Sequence, residues 1–204
     1  MRDACEAFVA PHSRTAGIAT PVTPAIETPR LRLRGWRDDD VEPWAKMNAD
    51  PRVMEYFVSP TPRETSYEQA ARMRQWLHEH GYGWFVIELK DRAGFAGIVA
   101  IDDVRYEVPF QPRREIGWRL PVATWGRGYA TEAARALLGY AFETLHWDSV
   151  VSFTTARNER SRRVMERLGM THDPAENFEH PRVPEGHPIR PHVLYRLNAA
   201  DLSK

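Results

Sequence analysis

The stretch WGRGYATEA, Trp125 to Ala133, sets two glycines one residue apart and then runs into helix-forming sequence. The first amides of a helix have no partner within it and sit at the positive end of its dipole, so glycines there let an anion, above all a phosphate, approach the backbone closely. The plain alternative is a tight strand-to-helix connection whose glycines only relieve φ strain. A nucleotide P-loop requires Gly-Lys-Ser/Thr at the end of the turn, whereas here Tyr129 follows Gly128. A dinucleotide fingerprint requires glycines directly after a parallel strand and an acid at the end of the next strand. Here Pro121 to Trp125 intervene, and Asp148 precedes the next strand.

Other residues with chemical capacity lie on either side of this turn. In REIGWRL, strand alternation puts Glu115, Gly117 and Arg119 on one face and Ile116, Trp118 and Leu120 on the other, so Gly117 leaves room beside the Glu115 carboxylate. Glu115 reads either as a titratable group in a cleft or as a structural partner of an arginine. Asp102, Asp103, Tyr106 and Glu107 lie near a strand end and are reserves. Asn158 precedes ERSRRVMERLG, where it suits a helix cap. In that helix Ser161, Val164, Met165 and Leu168 recur at inward spacing, so Ser161 points inward, as a functional hydroxyl or as a serine bonded to the preceding turn. His172, His180, His187 and His192 gather late, in a loop that presents no helical ligand pair, and no metal is expected there.

The elements that must hold these residues follow from pattern. Residues 1–27, rich in Pro, Thr and Ala, read as a flexible extension, and organised pattern runs from 28 to 204. LRLRGW is a short strand, VEPWAKMNAD a helix, PRVMEYF a second short helix, and Glu64 to His80 a longer helix closed by Gly81. Trp84–Lys90, Phe95–Val104 and Arg114–Leu120 form an antiparallel meander. A helix from about Gly128 to Leu145 is apolar or small around most of its circumference. After it come the strand VVSFTT, the Glu159–Leu168 helix, a short strand near Met170 and a last strand, HVLYRL. The class is mixed α/β in one domain.

Composition narrows the function. Twenty-eight Lys and Arg balance 28 Asp and Glu, which argues against nucleic acid or anionic membrane as a partner bound through the overall field. The aromatics Trp36, Trp44, Tyr56, Phe57, Trp76 and Trp84 read as core or groove wall and less well as a base-stacking platform. The single Cys5 excludes an intrachain disulfide. No apolar run approaches the roughly 18 residues of a membrane span, and Asp3 and Glu6 interrupt any secretory signal. A cytoplasmic protein is expected.

EIGWRLPVATWGRGYATEA followed by NERSRRVMERLGM resembles the GCN5-related N-acetyltransferases (GNAT), in particular the branch typified by the RimJ and RimL ribosomal-protein N-terminal acetyltransferases. The resemblance runs from about Thr28 to the carboxyl end. It implies a mostly antiparallel sheet splayed between two parallel strands, with acetyl-coenzyme A in the gap as co-substrate. It assigns pyrophosphate contacts to the backbone of Trp125, Gly126, Arg127, Gly128, Tyr129, Ala130 and Thr131, and backbone pairing with the pantetheine arm to Trp118 and Leu120. Trp125 departs from the Arg or Gln common in the family. Asn158 maps to a side chain that bonds the pantetheine. Met165 stands where many members carry a tyrosine acid, which leaves Ser161 as the nearest inward hydroxyl toward the sulfur. Some relatives place a catalytic Glu on the strand that holds Glu115, making it the first candidate for general base.

The implied activity is acetyl transfer to a primary amine, a protein or peptide α-amino group before a small amine such as an antibiotic or polyamine. A noncatalytic acyl-coenzyme A sensor is the reading from a different class. A homodimer is left open. The stretch from Asp173 to His192 holds five prolines and is too long for an ordinary connector. The expectation is that it borders the acceptor entrance, with Glu176, Glu179 and Glu185 drawing in a cationic amine and Phe178 as an apolar wall.

Overall fold

The computed structural model describes residues 23–202. Cys5 and most of the expected extension lie outside them. The sheet nevertheless starts inside that extension, because β1 (Ile26–Glu27) pairs antiparallel with β2 (Leu31–Arg34) in the register Ile26 to Leu33 and Glu27 to Arg32.

The meander continues through β3 (Trp84–Leu89), β4 (Phe95–Asp103) and β5 (Arg114–Arg119), all antiparallel. β6 (Ser149–Thr155) then lies parallel to β5, and β9 (Pro191–Asn198) pairs antiparallel with β6, carrying β7 (Thr171–His172) and β8 (Phe178–Glu179) as short partners. Strand order is therefore β1-β2-β3-β4-β5-β6-β9-β7. The β5–β6 ladder holds a single residue pair, Glu115 with Val151. Beyond it the two strands part, which is the expected splay.

Helices α1 (Val41–Ala49) and α2 (Arg63–His80) pack on each other and on β4 and β3 respectively. Between them the sequence predicts a helix over 51–57, but these residues form turns. The Asp50 carboxylate accepts from the Arg52 N–H, and Val53 and Met54 bury their side chains in the core. A side chain that satisfies the backbone this way competes with helix formation. Helix α3 (Tyr129–Gly139) lies against β4 and β5 with Ala133, Ala134, Leu137 and Leu138 at 0% exposure, and continues as a π-helical turn through Thr144. Helix α4 (Glu159–Arg167) follows β6 and packs against α3. No described helix is long and apolar enough to cross a membrane.

Candidate active site

The parting of β5 and β6 opens a cavity of about 610 Å³, which runs from the glycine turn to the far ends of β4 and β9. At its outer end Gly126 and Gly128 take left-handed conformations, φ +71° and +77°. A Cβ on Gly126 meets nothing within 4 Å, so the backbone there is open to a ligand. Gly126, Gly128, Tyr129, Ala130 and Thr131 line the cavity, and Arg127 does not. The Arg127 carbonyl instead accepts from Arg30 Nη1 at 2.9 Å. Arg30 also binds Glu132 through Nε at 2.6 Å and stacks its guanidinium on the Tyr129 ring at 4.8 Å, while Thr28 Oγ1 donates to Glu132 at 2.6 Å. These contacts brace the first turn of α3 from behind. Sequence reasoning missed the brace because its two halves lie about a hundred residues apart with no motif in common.

Trp125 fixes the other side of the turn, donating from Nε1 to the Leu120 carbonyl at 2.8 Å. Its ring carries the Arg160 guanidinium at 4.3 Å. Trp125, Trp118 and Leu120 all line the cavity. The Leu120 carbonyl is thus already engaged by the indole, whereas the β5 edge that faces β6 beyond Glu115 has no ladder partner.

On the floor, Asp102 of β4 and Glu115 of β5 are directly opposed across the ladder, so their side chains share a face. Asp102 is held by three donors: the Asp103 N–H at 2.8 Å, Arg105 Nη2 at 2.8 Å and Trp84 Nε1 at 3.3 Å. Glu115 has no ion pair among the described residues, which removes the arginine-paired reading. Gly117 lies beside it, since a Cβ built there would sit 3.9 Å from Glu115 Oε1. Burial, and after it the charge of Asp102, pushes the Glu115 carboxyl up to about 8. Burial likewise pushes Asp102 up to about 7, against the pull of Arg105. Arg119, expected on this face, donates to Asn48 Oδ1 at 2.7 Å and rests on the Phe57 ring at 4.1 Å.

On α4, Asn158 caps the helix, its Oδ1 accepting from the Ser161 N–H at 3.2 Å. Its Nδ2 donates to Thr154 Oγ1 at 3.0 Å and Ser161 Oγ at 3.1 Å. Ser161 Oγ therefore accepts from Asn158 and keeps its own proton to donate. Both residues line the cavity, and so does Met165, at 1% exposure.

The long loop does border the cavity, but through His180, Arg182, Val183, Ile189 and His192. None of the three acids expected there lines it. Glu176 pairs with Arg196 at 2.5 Å and Glu179 with Arg190 at 3.1 Å, Glu185 is exposed, and Phe178 packs with Phe110, Val151 and Leu194. Tyr106, a reserve residue in the sequence, meets this wall through a bond between its hydroxyl and His180 Nε2 at 2.9 Å. His180 and His192 stand here as neutral hydrogen-bonding groups. Burial, then His192 and nearby arginines, pushes His180 down to about 4, and burial lowers His192. Among the described residues no cluster of three or more His, Cys, Asp or Glu is placed to hold a metal.

The split mixed sheet thus frames a cleft with an anion-ready turn at one end and an unheld carboxylate within it. The sequence profile of the acetyltransferase (GNAT) domain matches residues 30–171, and the chain belongs to that family of N-acetyltransferases. It is 30% identical over 156 residues, 73% of this chain and 66% of the other, to the FsC-acetyl coenzyme A-N(2)-transacetylase of Aspergillus fumigatus. An acetyltransferase (GNAT family) from Bacillus anthracis superposes with a TM-score of 0.71 at 23% identity, covering 86% of this chain and 99% of that one. Mycobacterium smegmatis RimJ in complex with CoA-disulfide superposes at 0.68 with 22% identity, covering 85% and 84%.

Proposed function

We propose that this acetyltransferase moves an acetyl group from acetyl-coenzyme A to the α-amino group of a peptide or small molecule, with Glu115 as general base. The observation that carries the reading is the Glu115 carboxylate, unpaired inside the cavity whose far end is the glycine turn with its open backbone at Gly126. That open turn and the rigid start of α3 fit the pyrophosphate of the donor, with Tyr129, Ala130 and Thr131 supplying further backbone. The unladdered edge of β5 at Trp118 and Leu120 fits an extended pantetheine arm. Asn158 fits the same arm while it caps α4. When bound, the donor supplies the activated acetyl group.

A neutral amine is the nucleophile, so an ammonium acceptor must first lose a proton. Glu115, raised toward the range of α-amines, takes it directly or through water. Asp102, held in place by its three donors, loses its proton before Glu115 does, and its charge then strengthens Glu115 as a base. Ser161, which lines the cavity with its own proton left to donate, would serve the departing sulfur in the absence of a tyrosine at 165. The name of the fungal FsC-acetyl coenzyme A-N(2)-transacetylase, which puts the acetyl group on a nitrogen, supports an amine acceptor. The resemblance carried by the glycine turn and NERSRRVMERLGM supports a protein amino terminus and the RimJ/RimL branch, and RimJ, of the same fold, was solved with CoA-disulfide. A cytoplasmic setting belongs to the same reading.

Amine-dependent thiol release from acetyl-coenzyme A tests it. The wild type should release thiol in proportion to amine acetylated, with kcat/KM rising toward an inflection near pH 8. Glu115→Gln should lower kcat/KM about a hundredfold and erase that inflection while leaving the KM for acetyl-coenzyme A unchanged. Thermal protection by acetyl-coenzyme A without thiol release to any amine would favour the sensor reading.

A further inference from the structure

We infer that Tyr106, oriented by His180, is the hydrogen-bond donor that selects acceptor amines carrying an uncharged carbonyl oxygen beside the amino group, as an α-amino amide does. The inference rests on the proposed amine transfer and narrows it. The Arg182 backbone N–H donates to His180 Nδ1 at 3.2 Å. A neutral imidazole that accepts at one nitrogen carries its proton on the other, so Nε2–H donates across the 2.9 Å contact to the Tyr106 oxygen. The phenol then has its own proton left to give. His180 keeps this polarity because burial, and after it His192, Arg182 and Arg190 close by, disfavours a second proton. His192 is fixed in turn, its Nδ1 lying 3.0 Å from the Arg190 carbonyl, to which it must donate.

Tyr106, His180, His192 and Glu115 line one cavity, and burial, then the nearness of Glu115, raises the phenol above its ordinary value, so it keeps its proton. No direct bond joins Tyr106 to Glu115 among the described residues, so the space between a proton acceptor and a proton donor is left to the substrate. An amine with a carbonyl oxygen beside it fills both roles: its N–H faces Glu115 and its oxygen takes the Tyr106 hydroxyl. A carboxylate in place of that carbonyl would be repelled by Asp102, which already holds Arg105 at 2.8 Å.

The probes are L-alaninamide and sec-butylamine, which share their branching and differ in the carbonyl. In the wild type, KM should be lower for L-alaninamide. Tyr106→Phe removes the hydroxyl alone and should raise the ratio of the two KM values about tenfold, with kcat for L-alaninamide little changed. His180→Leu should give the same loss, and His180→Gln, which keeps an N–H donor, should recover most of it. A ratio unmoved by Tyr106→Phe, or a His180→Gln variant no better than His180→Leu, overturns the inference and leaves amine transfer standing. Imidazole ¹⁵N shifts should show the Nε2–H form of His180, and the Nδ1–H form overturns the inference as well. If the wild type acetylates neither amine, the proposed transfer fails. Binding then decides: addition of L-alaninamide should move the His180 Nε2 resonance, and its absence overturns the selection.

Discussion

Glu115 and Asp102 oppose each other on one sheet face, and a buried pair of carboxylates titrates as a unit because the first charge disfavours the second. The three donors on Asp102 and the lack of any on Glu115 divide the roles: Asp102 holds the charge and Glu115 holds the proton. This arrangement costs stability, and the sign follows from the raised pKa. The unfolded chain releases the Glu115 proton near 4.5 and the folded protein only near 8, so stability falls as pH rises through that window, and the full cost is present above it. Glu115→Gln should therefore match the wild-type melting temperature at pH 4.5 and exceed it by a few degrees at pH 8.5. A difference that stays constant between those pH values would contradict the assignment. The face of Glu115 was legible in the sequence because alternation along REIGWRL is strict and Gly117 marks the open side. Asp102 was legible only as a reserve, since its partner is set by strand register and not by spacing along the chain.

At the scale of elements, the start of α3 is positioned from two directions. Trp125 ties the turn to the end of β5, and Arg30 with Thr28 grips Glu132 and the Arg127 carbonyl from the β1–β2 hairpin. The glycine turn and the apolar helix after it were legible from local signals. The brace was not, and neither was the turn structure at 51–57, where the Asp50 side chain outcompetes a short helical period. The aim of the late loop was legible in part. Its length and prolines marked it as a shaped wall, but Glu176 and Glu179 pair with arginines that sequence spacing does not reveal, and Glu185 stands outside the cavity. Gly126 separates a binding role for the turn from a purely steric one, because a Cβ there touches nothing and costs only the left-handed conformation, about 1–2 kcal/mol. Gly126→Ala should fold with a slightly lowered melting temperature yet lose most of the rise that acetyl-coenzyme A gives the wild type. An undiminished rise would remove this turn from the donor site.

The whole molecule is two half-sheets, β1 to β5 and β6 to β9, whose ladders meet at one residue pair. A sheet that opens there would gape if the packing behind it were loose. It is closed by the continuous core, in which Leu137 and Leu138 of α3 join Ile98 and Ile116 from one half to Val150 and Leu197 from the other. This overall order was legible because the pattern changes from meander strands to alternating strands and helices at the glycine turn. The single bridging pair was not, since sequence shows where strands are and not where they separate. The division makes a prediction about the donor that involves no catalysis. A ligand whose arm pairs with the free edge of β5 and whose phosphates cap α3 supplies backbone partners only along the gap. Hydrogen exchange with acetyl-coenzyme A present should slow the amides of 118–120 and 126–131, while those of β3, already paired on both sides by β2 and β4, keep their rates. Protection spread evenly over both half-sheets, or absent from 118–120, would mean that the donor does not lie along the opening.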